Sequence, residues 1–210
     1  MTADLPVALT DHQRDTLDAY VAELARVNRR VNLVARPASR VDLERHVRHC
    51  LALATRPFPG GATVVDWGSG GGLPAVPLAV AFPDVRVVAV DAVSKKTAAV
   101  RLFARRLGIE NLEAWNGRAE RYDGPAPHVS VSRATAPLAD LWTWHTMSRP
   151  ATALAPSEAW SGLVCLKGGD LGTEIARLVE VSPAATVHEQ ALDNVLGPEW
   201  ADKAIVHVTD

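Results

Sequence analysis

The apolar positions near the start of the chain keep a helical period. Leu17, Tyr20, Val21, Leu24 and Val27 recur three or four residues apart, the spacing that places side chains on one face of a helix. Thr10 and Gln13 form a capping box ahead of them, so a helix is predicted over 11–28. The stretch "RPAS" interrupts the pattern. Ser39 then caps a second predicted helix, with Leu43, Val47, Cys50, Leu51 and Ala54 on one face, and "RPFPGG" at 56–61 stops it. Beyond that point the period changes. Apolar runs at 62–66 and 85–91 each close on an acid, and helices are predicted over 73–81 and 94–108, the second ended by Gly108. Further strands are predicted at 111–115, 128–134, 161–169, 185–192 and 203–210. No helix is predicted between the last two, so they are expected to form an antiparallel pair at the end of the sheet. Alternating short strands and helices predict an α/β domain on a mostly parallel sheet. The division expected is a helical extension over 1–55 and the sheet domain over 56–210.

The first strand runs into "DWGSGGGLP", four glycines in five positions. Each glycine costs roughly 0.5–1 kcal/mol relative to alanine inside a regular element, so the cluster implies a tight turn or the close approach of a ligand to the backbone. Pro74 suits the first position of the following helix, where its missing N–H is no loss. The amides of that helix start are expected to be free. A dinucleotide loop of the form G-x-G-x-x-G fits poorly: counted from Gly68 it meets Leu73, and counted from Gly70 it starts late. The spacing present, Asp66-x-Gly68-x-Gly70-x-Gly72, resembles motif I of class I S-adenosylmethionine-dependent methyltransferases. Asp91 closes the second strand, where its carboxylate can accept both ribose hydroxyls of a nucleoside. Asp66 has two compatible roles: capping loop amides, and acting behind the methionyl end of the cofactor.

The net charge of −2 does not announce a nucleic-acid binder, but its distribution does. Residues 26–56 hold eight arginines against two acids, a net of +6, on an otherwise mildly acidic chain. Cys50 and Cys165 have no metal-like spacing and are expected as buried free thiols. His46 and His49 lack acid or thiol partners at ligand spacing, so no metal is expected. The start of the chain carries no secretory pattern, and no run reaches the roughly 18 apolar residues of a membrane span. A cytoplasmic protein without a membrane partner is expected. The helix at 94–108 is basic, with Lys95, Lys96, Arg101, Arg105 and Arg106, and is read as the solvated face of a helix covering the sheet.

Several motifs occur in order: "NRRVNLVA" (28–35), "RHVRHCL" (45–51), "DWGSGGGLPAVPLAV" (66–80), "VDAVSKK" (90–96), "GRAERY" (117–122), "VSRATAPL" (131–138) and "CLKGG" (165–169). Together they resemble the bacterial 16S ribosomal RNA guanine-N7 methyltransferases, the glucose-inhibited division protein B family, over nearly the whole chain. The resemblance implies a Rossmann-like class I methyltransferase fold and S-adenosylmethionine as cofactor. It implies that Gly68, Gly70 and Leu73 hold the cofactor through their backbone and that Ala119 and Glu120 lie beside the adenine. Arg133 is implied at the mouth shared by cofactor and substrate, and Lys167 at the end of the fifth strand. Asn32, Arg45 and His46 are implied to face the cleft; with Arg29 and Arg30 they make up the expected RNA contacts. The partner implied is 16S RNA or the small subunit, and the protein is expected to act as a monomer. The chain departs from the family pattern at Trp67, where a small aliphatic residue is usual, and at His49-Cys50, where an acid-hydroxyl pair is usual. It also lacks the family's Pro-Gly-Gly turn within 149–162.

Guanine N7 carries a lone pair at neutral pH, so its methylation needs no general base, and catalysis should rest on positioning. Arg133 and Lys167 are therefore read as ligands of guanine O6 or phosphate, not as acids or bases. Trp142 and Trp144 are the tryptophans expected nearest a flipped guanine. Two alternatives remain open: a methyltransferase of another substrate, and an inactive RNA-binding relative.

Overall fold

In the computed structural model, residues 5–35, 38–133, 135–148 and 158–210 are described. The chain begins with α1 (Asp11–Asn28) and α2 (Arg40–Leu51), both opened by the predicted capping boxes: Gln13 N donates to Thr10 Oγ1, and Asp42 N donates to Ser39 Oγ. Then come β1 (Thr63–Trp67), α3 (Ala75–Ala81), β2 (Arg86–Asp91), α4 (Ser94–Leu107), β3 (Leu112–Asn116) and β4 (Val129–Arg133). The rest is α5 (Leu138–Ser148), β5 (Gly162–Gly168), α6 (Gly172–Val181), β6 (Thr186–Ala191), α7 (Asp193–Leu196) and β7 (Lys203–Thr209). Gly108 ends α4 in the left-handed region at φ 64°. The helices α5 and α6 lie outside the predicted set. The expected helix-free link between the last two strands is corrected: α7 and a 3-10 turn at Pro198–Trp200 lie between β6 and β7.

The seven strands form one sheet in the order β3-β2-β1-β4-β5-β7-β6, parallel except for β7, which runs antiparallel to both neighbours. The chain leaves β1 toward β2 on one side, and β4 lies on the other, so the order reverses at the β1–β4 pair. In open α/β sheets that switch point is where ligands bind, outside the carboxyl ends of the strands.

Side chains alternate across the sheet. Val64, Val87, Ala89, Val129, Val131 and Val164 face a core shared with α1 to α4. Val65, Trp67, Val88, Val90, Leu163 and Cys165 face a second core with α5 and α6. Because both faces are covered, the parallel strands read as continuous apolar runs. Leu17, Tyr20, Leu24, Leu43, Val47 and Leu51 of the first two helices belong to the first core along with the sheet residues. Both cysteines are free and buried. Among the described residues no helix is long and apolar enough to cross a membrane.

Candidate active site

The site is assembled where β1 and β4 part. Val90 O receives the amides of both Gly68 and Ser69, which folds the glycine loop back over the end of β2. Gly68, Gly70 and Gly72 all have positive φ, at 74°, 56° and 92°, a region that L side chains avoid. At Gly68 a Cβ would stand 1.9 Å from Thr135 Cγ2, so this glycine is required by close approach as well as by conformation.

The expected free amides are not free. Gly70 N donates to Asp91 Oδ2 at 3.0 Å, Ala75 N to Asp66 Oδ2 at 3.1 Å, and Gly72 N and Leu73 N to Ser69 O. The loop therefore offers a ligand a surface without side chains rather than a row of unpaired donors. Pro74 is the cap of α3 rather than its first residue.

Asp91 is buried at the end of β2, its oxygens accepting from Gly70 N and Val93 N. A carboxylate has about four lone-pair sites, so capacity remains for ribose hydroxyls. Asp66 is fully buried, and its Oδ1 has no hydrogen-bond partner. Burial pushes its pKa up to about 7. The neighbouring Ser69 hydroxyl, itself without a well-aligned hydrogen bond, and the Ala75 amide pull the other way. Ala119 and Glu120 sit on the 3-10 turn Ala119–Arg121 after β3. Ala119 packs against the second core, and Glu120 is exposed. A cradle that a Cβ would fill, a strand-end carboxylate and a buried acid with one unpartnered oxygen fit a cationic nucleoside cofactor.

Next to this loop opens a cleft of about 800 Å³, bounded by α2, the ends of β4 and β5, and the turn before β7. Arg45, His46, His49, Arg133, Lys167 and Trp200 line it. Arg133 Nη1 lies 3.3 Å from His46 Nδ1, and its Nε is buried without a partner. Burial, reinforced by the Arg133 charge, lowers the His46 pKa, so the imidazole is neutral and can accept from Arg133. Burial drives His49 further down, to about 3. Its ring lies against Trp200 with centroids 4.9 Å apart, and the Arg45 guanidinium covers the Trp200 ring at 4.6 Å. The His-Cys departure thus places one residue against the cleft wall and the other, Cys50, in the core.

Lys167 is almost fully buried; its Nζ donates to Ala136 O and to Glu174 Oε2, both at 2.6 Å. Asn32 is exposed in the loop after α1, where the buried Asn28 does the structural work: its Oδ1 accepts from Leu33 N and Val34 N. Arg29 and Arg30 are exposed at the end of α1. Three of the eight arginines of the basic run are paired with acids among the described residues. Arg26 pairs with Glu23, Arg40 with Glu44 and Arg48 with Glu199, and Arg36 lies outside the described residues. On α4, Arg106 pairs with Glu23 and Arg101 Nη2 donates to Ala114 O, in keeping with a sheet-covering helix.

Two expectations about tryptophan change. Trp142 and Trp144 do not face the cleft. Trp142 is buried in the second core, its Nε1 donating to Ser182 Oγ, and Trp144 packs there on Trp67. The tryptophan at the cleft is Trp200, carried there by the turn joining β6 to β7. Trp67 does not obstruct the cofactor loop: its indole points into the second core and donates to Ser130 Oγ at 2.9 Å. Most of the missing family turn, residues 149–157, lies outside the described residues.

Fold and loop together define a class I methyltransferase of the S-adenosylmethionine-dependent kind. A methyltransferase of Geobacter metallireducens named for precorrin-6y C5,15 methylation covers 84% of this chain and 94% of its own, at TM-score 0.58 and 12% identity. An O-methyltransferase of Bacillus cereus, solved with SAH, covers 91% of each chain at TM-score 0.57 and 18% identity; these likenesses concern the fold. The chain itself belongs to the GidB family, rRNA small subunit methyltransferase G, which matches residues 13–180. The Salinibacter ruber protein named ribosomal RNA small subunit methyltransferase G is 49% identical over 204 residues, 96% of this chain and 94% of that protein.

Proposed function

We propose that this protein transfers the methyl group of S-adenosylmethionine to N7 of a guanine in 16S ribosomal RNA, in the cytoplasm. The observation that carries this reading is the adjacency of the glycine loop at 68–72 to a cleft lined by Arg45, His46 and Arg133. Family membership supplies the ribosomal RNA context.

The cofactor supplies a methyl group on a cationic sulfonium, a leaving group that needs no activation. Gly68 and Gly70 would let it lie against the main chain, Asp91 would accept its ribose hydroxyls, and Ala119 and Glu120 would border its adenine. Arg133 spans the two halves of the site. Its unpartnered Nε and its Nη1, beside a neutral His46, suit a carbonyl acceptor such as guanine O6. No side chain has to remove a proton from N7, so the protein's contribution is to hold base and methyl in line. Arg45, lying flat on Trp200, offers a guanidinium to a base or phosphate; Arg29, Arg30 and Asn32 extend the RNA contacts around the α1–α2 loop.

The test is transfer of tritiated methyl from the cofactor to small-subunit RNA from a strain lacking this enzyme. Label is expected in 16S RNA at a site cleaved by aniline after borohydride reduction, the signature of N7-methylguanine. Label in protein or in small solutes would contradict the assignment, and cofactor binding without transfer would mark an inactive relative.

A further inference from the structure

The four residues after Arg133 and Ala134 are held from three directions. The single hydroxyl proton of Thr135 is shared between Gly68 O, on the cofactor loop, and Arg133 O, each 3.2 Å from Oγ1. Ala136 O accepts from Lys167 Nζ at 2.6 Å, at the end of β5. Leu138 N donates to Glu174 Oε2 at 2.9 Å, on α6, and the same carboxylate oxygen accepts from Lys167 at 2.6 Å. The Lys167 side chain is only 7% exposed, so its charge is compensated by this one carboxylate and one carbonyl. Taking the Lys167 charge out of water is costly, and its pairing with the part-exposed Glu174 adds little net stability, so stability alone does not account for a lysine placed here. Its location does: Arg133, Thr135, Ala136, Pro137, Lys167 and Glu174 form one wall of the cleft, and that wall meets the cofactor loop at Gly68.

We infer that Lys167 and Glu174 are positioning residues that lock 135–138 across the boundary between cofactor and substrate, setting the approach of the methyl group to the base. This rests on the methyltransferase reading above, and it replaces direct contact of Lys167 with guanine or phosphate. In-line transfer is sensitive to placement at the level of an ångström, where an error costs about a hundredfold in rate. A lysine spent on a carbonyl and a carboxylate would act through that geometry, not through RNA affinity.

The experiment compares Lys167→Met, Glu174→Ala and the double variant with the wild-type protein. Steady-state methylation of 16S RNA is expected to show kcat reduced by about ten- to a hundredfold, with KM for RNA within about twofold of wild type. The double variant should be no slower than the worse single one, because both break the same lock. Independently of activity, hydrogen exchange at the Leu138 amide should accelerate at least tenfold in Glu174→Ala and in Lys167→Met. Glu174 is about one-third exposed, so its variant carries the test if Lys167→Met does not fold. A raised KM with a shallower salt dependence in Lys167→Met, alongside a normal Glu174→Ala, would overturn the inference and return Lys167 to the RNA. Unchanged exchange at Leu138 in both variants would overturn it too. Failure of wild-type protein to label 16S RNA would instead refute the proposed function and leave the exchange result to judge the lock.

Discussion

Gly68 and Gly70 have similar backbones under different constraints. Both sit at positive φ, but a Cβ on Gly70 would meet only Leu33 O at 3.5 Å, while one on Gly68 would strike Thr135. Gly70→Ala should therefore cost about 1 kcal/mol from backbone strain alone. Gly68→Ala should cost more and displace Thr135, lowering cofactor affinity by at least about fivefold, the equivalent of one such strain term. Titration calorimetry of the two variants would separate them. Asp66 makes a prediction about pH. Unfolded, it releases its proton near 3.8; folded, it holds it up to about 7. Between those values the folded chain binds more protons, so this group's contribution to stability falls as pH rises through the window. Asp66→Asn should remove that part of the slope, read from urea melts at pH 5 and pH 7. The sequence placed Asp66 and Asp91 at strand ends correctly, because a run of apolar residues closed by an acid has one sensible end. The amide-capping role read for Asp66 is met by Ala75 N, but the sequence did not reveal that Asp91 already receives the amides of Gly70 and Val93.

At the scale of elements, α2 forms one side of the cleft. Its capping box joins Ser39 and Asp42, and Arg45, His46 and His49 follow within its first three turns. Arg45 is exposed and lies on Trp200, while Arg26, Arg40 and Arg48 are paired with acids. Exposed pairs of this kind add little stability, but they lower the charge available to phosphate. Arg45→Glu should weaken RNA binding and make its salt dependence shallower, with cofactor affinity unchanged; anisotropy titrations at several salt concentrations measure both. A count of arginines along 26–56 could not show which were already neutralised, since the partner of Arg48, Glu199, is distant in the chain. The helix α5 escaped prediction for a related reason. Leu138, Leu141, Trp142 and His145 are buried at helical spacing, but a histidine stands on that face while Trp144 and the exposed Met147 lie off it, so the sequence lacks the clean period of α1.

For the whole molecule, the first two helices share one core with the sheet. Tyr20 of α1 packs edge-on against Phe103 of α4, at 5.5 Å between centroids, and donates its hydroxyl to Gly71 O at 2.8 Å. Leu33, in the loop after α1, lies against Gly70 and Gly71. The expected boundary near residue 55 therefore crosses a continuous apolar interface. A chain of residues 56–210 alone should lose cooperative unfolding, because α3 and α4 would expose the surface that Leu17, Tyr20, Leu24 and Leu43 cover. A thermal melt followed by circular dichroism tests this, with a sharp transition in the fragment as the contrary result.

The sequence by itself determined the elements whose signals are local: the two capped helices, the run of strands, the glycine turn and the acids at its margins. Each depends on period, capping or backbone freedom within a few residues, and such signals survive without a partner. Tertiary structure alone decided which groups meet. Trp200 reaches His49 and Arg45 only because the β6–β7 connection folds beneath α2, and Lys167 meets Ala136 only because β5 ends beside β4. Those contacts depend on strand order, which no local pattern encodes.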